Sequence, residues 1–313
     1  MEFFKKVPTL HFMRLRRAWY CVSALLVIAS VASLAVRGVH FSIDYTGGVE
    51  IELGFSAAPN LDRVRGVLAA QGFKESQVQN VDTVRDILVR LPSQGETVTG
   101  AEVGNQLKLA LAAIDPTVEL RRADSVGSQV GRELANNGAL ALLFTFLLIG
   151  LYVAVRFHTL KLGVGATVAA LHDPIIVVGF FSIAGLTFDL PALAAVLAVI
   201  GFSLNDTVVV FDRIRENFEK SRRGEALDVL DASINQTLSR TLITSGSTFF
   251  VVLMLFLFGG EALKGFSTAL LVGIGVGTYS SIYIASALAL EFGLTVNDLF
   301  PMRKTADELD KMP

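Results

Sequence analysis

Cysteine is almost missing from this chain: Cys21 is the only one among 313 residues, so neither a disulfide framework nor a thiolate metal site can be built from it. Histidine is nearly as scarce, at four. No second histidine or carboxylate accompanies His172 at metal-ligand spacing, so no metal centre is expected. Charged residues make up only 18% of the chain. They form no basic stripe with interleaved aromatics, and nucleic acid is not an expected partner. A nucleophile elbow, a phosphate loop and a zinc-hydrolase motif are all lacking, which sets aside ATP hydrolysis and the common hydrolase chemistries.

What fills the chain instead is apolar sequence. Hydrophobic residues reach 52% and the mean hydropathy is +0.56, more than an ordinary soluble domain carries, and the excess lies in blocks. These properties describe a polytopic membrane protein. The first block runs from Ala18 to Val36, behind a segment (residues 1–17) in which Lys5, Lys6, Arg14, Arg16 and Arg17 stand against Glu2 alone. Such a cluster stays cytoplasmic, with Trp19 and Tyr20 at the inner interface and Arg37 at the outer one. Ser33-Leu34-Ala35 has the look of a signal-peptidase site. The run of 19 residues is nevertheless longer than the ~7 to 15 of a signal h-region, which predicts an uncleaved anchor.

Residues 38–136 differ in kind, with 9 Lys or Arg, 13 Asp or Glu and short apolar alternations. They predict a soluble domain on the outer, periplasmic face. Val49 to Leu53 alternates with period 2 and reads as a strand. Leu61, Val64, Val67 and Leu68 suit one face of a helix, and Val78 to Leu91 contains strand-like stretches. Val103, Leu107, Ala110, Leu111 and Ile114 form a second helical stripe closed by Asp115-Pro116, after which Thr117 to Leu120 begins another strand. The order β-α-β-α-β predicts a small α+β ferredoxin-like domain.

Five further spans are predicted at 138–155, 162–185, 190–211, 241–258 and 266–289, filling 138–290 and giving six transmembrane helices in all. Both termini then lie in the cytoplasm, with a tail at 291–313. Residues 212–240 form the one sizeable inner loop. There Phe211, Ile214 and Phe218, and then Leu227, Leu230, Ile234 and Leu238, recur at helical spacing on either side of Gly224. Two interfacial amphipathic helices lying on lipid are expected, with Arg222 and Arg223 among their solvated charges.

Three charged residues sit in or beside these spans: Asp173, Asp206 and Arg240. An ionised group at mid-bilayer costs roughly 2.5 to 3.5 kcal/mol on insertion scales, so such residues face a bundle interior and mark ion or substrate paths. By rise per residue, Asp206 and Arg240 lie at similar depth, and a facing pair is geometrically possible. Two readings stay open: a proton relay, or a static salt bridge between helices. Snorkelling of Arg240 to the inner headgroups is a third. Around the pair, Asn205 and Thr244 are supporting polar residues, and Thr237, Arg240, Thr241, Thr244, Ser245 and Thr248 make a polar stripe that must face protein. Asp173 follows His172 and precedes Pro174. It is either a second relay carboxyl or a partner for backbone freed at the kink. Gly273 and Gly277, with Ser281, form a small-residue ridge for close helix packing. Asp44, Gly47 and Gly48 mark a tight turn where the outer domain leaves the membrane.

Three segments together resemble the SecD/SecF family of the bacterial Sec export system, and within it the SecF branch. They are Ile43-Asp44-Tyr45-Thr46-Gly47-Gly48, then Gly201 to Thr207 running into Val210 to Glu216, and Asn235 to Ser245. The resemblance covers essentially the whole chain. It implies a bacterial inner-membrane subunit that pairs with SecD in a twelve-span assembly of the resistance-nodulation-division type. That assembly acts with the SecYEG channel and uses the proton-motive force to help export unfolded polypeptides after the SecA motor has worked. It further implies protons as the coupling ion with no other cofactor, no catalytic or metal residues, and Asp206 and Arg240 at the proton-conducting positions, with Thr244 one turn on. A passive scaffold subunit, and an intramembrane enzyme using His172 and Asp173, are the rival readings.

Overall fold

The computed structural model describes residues 7–73, 76–81, 83–92, 99–221 and 225–299. Glu2, Lys5, Lys6, Arg222, Arg223, Gly224 and the tail from residue 300 lie outside them. The chain forms two compact units: His40–Ala141 with Thr187–Leu190, and Met1–Val39 with Leu142–Leu186 and Pro191–Pro313. The first long helix, α1 (Arg16–Arg37), ends at Gly38, whose φ of 70° only glycine adopts without strain.

In the smaller unit, β1 (His40–Phe41) and α2 (Ile43–Thr46) lead into β2 (Gly48–Gly54), α3 (Leu61–Ala70), β3 (Gln77–Val81), β4 (Thr83–Leu91), α4 (Gly100–Leu111) and β5 (Glu119–Val126). The sheet order is β3-β4-β2-β5 and every pairing is antiparallel, the split βαβ arrangement of a ferredoxin-like domain. One strand more is present than the sequence pattern predicts, because Val78 to Leu91 divides into β3 and β4. Val78 and Val81 are both buried although three residues apart, and the register shifts between Asn80 and Val81. That irregularity interrupts the period-2 alternation by which strands are recognised. Ile51, Leu53, Ile87 and Val89 from the sheet meet Val64, Leu68, Val103, Leu107 and Leu111 from the helices in one core. Each helix starts at a built cap. The Asn60 side chain accepts from the Asp62 and Arg63 amides, and Thr99 with Glu102 forms a capping box. A further strand pair escaped the sequence pattern: β6 (Thr187–Phe188) runs parallel to β1. Two-residue strands carry no readable period.

The larger unit is helical: α5 (Ser128–Phe157, its first turns in the smaller unit), α6 (Leu160–Ala184), α7 (Leu190–Lys220), α8 (Ala226–Phe258), α9 (Lys264–Ser280), a π-helical segment Ser281–Ala285, α10 (Ser286–Glu291) and α11 (Val296–Leu299). Six helical stretches, counting α9 through α10 as one, are long and apolar enough to cross a membrane. They fall into two classes. The most apolar windows of α6, α7 and α9–α10 are 61%, 50% and 50% buried, against 11%, 17% and 17% for α1, α5 and α8. Three helices therefore form the centre and three the periphery.

Two boundaries differ from the sequence reading. The expected soluble-domain end at residue 136 falls inside α5, which starts at Ser128. Residues 212–240 are not a pair of separate interfacial helices, since 212–220 continue α7 and 226–240 begin α8. No proline or glycine interrupts either junction. The buried stripe also runs straight through, as Ser203, Asp206, Val210 and Ile214 on α7 and as Ile234, Leu238, Thr241 and Ser245 on α8.

Candidate functional site

The small-residue ridge of α9 brings the polar residues together. A Cβ at Gly273 would lie 2.1 Å from Val199 Cγ2, and one at Gly277 would lie 3.1 Å from Ser203 Cβ and 3.5 Å from Asp173 Oδ2. Their lack of a side chain lets α7 and α6 approach α9 at these points. Beyond Gly277, three consecutive residues point in three directions, as ~100° per residue requires. Thr278 donates to Ser245 Oγ of α8 at 2.8 Å, the Tyr279 hydroxyl donates to the Trp19 carbonyl of α1 at 2.8 Å, and Ser280 donates to Asp173 Oδ2 of α6 at 2.9 Å. The π-helical segment begins at the next residue. Such segments often stand at functional positions.

Asp206 is 2% exposed. Its hydrogen-bond partner is a hydroxyl, because Ser245 donates to Oδ2 at 3.4 Å. Among the described residues no hydrogen bond or ion pair joins Asp206 to Arg240. Arg240 itself is exposed on the outside of this chain, as is Asn205. Thr244 is half-buried and donates to its own helix, to the carbonyls of Arg240 and Thr241 at 3.0 and 3.1 Å. The structure thus places Asp206 inside the bundle and Arg240 at its surface, not face to face.

Asp173 is completely buried. His172 Nδ1 lies 2.9 Å from its Oδ1, and His172 Nε2 lies 3.2 Å from Ser23 Oγ of α1. Ser23 in turn lies 2.6 Å from the Tyr279 hydroxyl. Ser203 of α7 joins from the other side, 3.4 Å from Ser280 Oγ. The sequence reading singled out Asp173 but not Ser23, Ser203, Thr278 or Ser280. Small hydroxyls in apolar helices are ordinary packing residues until a partner is seen. Among the described residues no group of three or more His, Cys, Asp or Glu side chains could hold a metal ion.

In the smaller unit the glycine pair is shaped by close approach as well as by a turn. Gly47 and Gly48 have φ of 70° and 127°, and a Cβ at Gly47 would lie 2.6 Å from Ser128 Cα. Asp44 Oδ2 accepts from the Leu190 amide at 2.9 Å, and the Tyr45 hydroxyl donates to the Asp189 carbonyl at 3.1 Å. Burial, followed by the charges of Asp44 and Asp189, pushes the Tyr45 phenol well above its usual range, so it remains a donor.

Comparison with known proteins gives one family. The model described as "Protein export membrane protein SecD/SecF, C-terminal" matches residues 106–295, and the SecD/SecF GG motif matches 32–59. The protein translocase subunit SecF of Vibrio alginolyticus is 47% identical, over 100% of this chain and 99% of its own length. That of Pseudomonas aeruginosa is 42% identical, over 98% and 99%. The crystal structure of SecDF, a translocon-associated membrane protein from Thermus thermophilus, is similar with a TM-score of 0.82 at 38% identity, covering 91% of this chain and 39% of that one. This chain therefore spans about two fifths of that longer molecule.

Proposed function

This chain belongs to the SecD/SecF family of protein export membrane proteins, as a translocase subunit of the SecF type, and we propose that it pairs with a SecD subunit and draws on the proton-motive force to help SecYEG and SecA export unfolded polypeptides. The membrane is then the bacterial inner membrane, with both termini cytoplasmic and the ferredoxin-like unit periplasmic. Asp206 carries the proton and Arg240 tunes it, with Asn205 and Thr244 alongside.

The observation that carries this reading is the company Asp206 keeps. A static salt bridge needs the carboxylate and the guanidinium in contact, whereas Asp206 is buried against the Ser245 hydroxyl and Arg240 points outward. A carboxyl held by a neutral hydroxyl can gain or lose a proton without leaving a cation stranded. An exposed arginine and asparagine on membrane helices are costly against lipid, which supports a second subunit covering that face. Each charge moved through the potential yields ~2.3 kcal/mol per 100 mV, enough for a few protons to drive a rigid-body movement of an outer domain.

The test is Asp206→Asn and Arg240→Met in the complete complex, reconstituted with its channel. Both variants are expected to assemble at normal levels, keep the ATP-driven step and lose the part of export that responds to the proton gradient. Full gradient-dependent export in both variants would remove the relay. A joint fall of export and assembly would make the charges structural.

A further inference from the structure

Hydrogen bonds need one hydrogen each, and the chain of contacts around His172 uses every hydrogen available. The Trp19 carbonyl can only accept, so the single hydroxyl hydrogen of Tyr279 is committed to it at 2.8 Å. The 2.6 Å contact between Ser23 and Tyr279 must then use the hydrogen of Ser23. With that hydrogen spent, Ser23 can only accept from the imidazole, so the 3.2 Å contact requires a proton on His172 Nε2. The last contact, His172 Nδ1 to Asp173 Oδ1 at 2.9 Å, needs one proton more, carried by Nδ1 or by Oδ1. In the first case the pair is imidazolium and carboxylate, and in the second a neutral imidazole and a neutral acid. Both have zero net charge and differ only in where one proton sits. Without that proton two lone pairs would face each other, and a completely buried carboxylate would stand without a countercharge, which is the expensive arrangement.

We propose that His172 and Asp173 form a second proton-holding pair in the membrane unit, keeping one transferable proton between Nδ1 and Oδ1 and passing its state through Ser280 and Ser203 to the α7 stripe that carries Asp206. The proton moves from Nδ1 to Oδ1 or back, breaking one N–H bond and making one O–H bond, with no other reactant. Ser280 donates to Asp173 Oδ2 at 2.9 Å and lies 3.4 Å from Ser203, one helical turn before Asp206. Among the described residues the titratable group beside the pair is Tyr279 on α9, whose ring lies 6.1 Å from that of His172, while Asp206 lies one helical turn beyond Ser203 on α7. The groups from α1 are the Ser23 hydroxyl and the Trp19 carbonyl, neither of which carries charge. Two independent features make the site responsive. Pro174 follows Asp173 inside α6, and the π-helical segment follows Ser280, so both helices lack regular backbone bonding beside it.

This inference rests on the proton-driven reading, and Asp173→Asn in the full complex tests it separately. An asparagine there donates from Nδ2 to His172 Nδ1 and accepts from Ser280, so it keeps every hydrogen bond while holding no transferable proton. A structural role predicts that the variant is silent. The proposal predicts normal assembly and thermal stability, loss of gradient-dependent export and of its pH dependence, and partial recovery in Asp173→Glu. If Asp206→Asn abolishes gradient-dependent export and Asp173→Asn leaves it and its pH profile unchanged, the second pair is refuted and the first reading stands. If both are silent, the proton-driven reading itself falls. Failure of Asp173→Asn to assemble would also overturn the proposal, because a neutral mimic that satisfies the same partners should fit.

Discussion

Gly273 and Gly275 sit two residues apart on α9, and alanine should have opposite effects at the two positions. A Cβ at Gly273 would lie 2.1 Å from Val199 Cγ2, 2.8 Å from its Cγ1 and 3.0 Å from its Cβ, where ordinary contact begins near 3.4 Å. Val199 is completely buried, and its β-branched side chain has few alternative rotamers on a helix. Relief therefore requires α7 and α9 to part by over an ångström. Overpacking of this kind costs about 1 to 3 kcal/mol, against about 1 kcal/mol gained from the better helix propensity of alanine. Gly275 is exposed and a Cβ there meets nothing within 4 Å, so Gly275→Ala keeps only the gain. The two variants should differ by about 1 to 3 kcal/mol, read as a lower melting temperature for Gly273→Ala in detergent-solubilised protein followed by circular dichroism. Adding Val199→Ala removes the clashing methyls and should restore part of the loss, with a coupling of about 0.5 to 3 kcal/mol in a double-mutant cycle. Equal melting shifts for Gly273→Ala and Gly275→Ala would refute the close approach of α7 and α9.

Two further outcomes concern the smaller unit. Asp115 accepts from the amide and hydroxyl of both Ser56 and Thr117 at 2.6 to 2.9 Å, and these bonds, led by the Ser56 hydroxyl, hold its carboxyl far below the usual range. Its contribution to stability is present above the ordinary aspartate value of about 3.9 and is lost as pH falls toward the folded-state value. Exchange protection of the Ser56 and Thr117 amides should weaken on acidification in the wild type and be weak at every pH in Asp115→Ala. Gly47→Ala combines a φ of 70° with a Cβ 2.6 Å from Ser128 Cα, and should destabilise the unit by about 1 to 3 kcal/mol through strain and overlap. A melting temperature matching the wild type in this variant would show that the approach of Gly47 to Ser128 is not tight.

How much could be read from the sequence depended on the range over which each pattern repeats. The six apolar helices repeat their hydropathy over many turns and were legible. So were the ferredoxin-like helices, whose stripes at Val64 and Leu68 and at Val103, Leu107 and Leu111 face the core. Residues 212–220 and 226–240 were legible as helical but were read as separate interfacial helices, because charge begins at Asp212, although the buried stripe through Val210, Ile214 and Phe218 never breaks. Charge reports solvent, whereas only periodicity reports the helix. The pairing of His40 with Thr187 left no trace, since it joins distant two-residue segments. Asp206 stood out because an acid in an apolar run is rare. Ser23, Ser203 and Ser280 did not, because a serine acquires meaning only from the residue across from it.

The final turn of α9 explains why two carboxyls on different helices need not act alone. Thr278 reaches Ser245, the partner of Asp206, while Ser280 reaches Asp173 and Tyr279 reaches Ser23, the partner of His172. On the proposed reading, a proton gained or lost at either carboxyl changes what a hydroxyl on this single turn must donate or accept. Thr278 and Ser280 are held by one backbone, so a rotation that improves one contact must disturb the other. Immediately beyond, the π-helical segment gives up the regular i to i−4 bonding, which makes it the place where α9 can absorb a rotation with least loss of backbone hydrogen bonds. Coupling between the two sites thus requires no long path, only a turn of helix with a partner on each side and a compliant segment behind it.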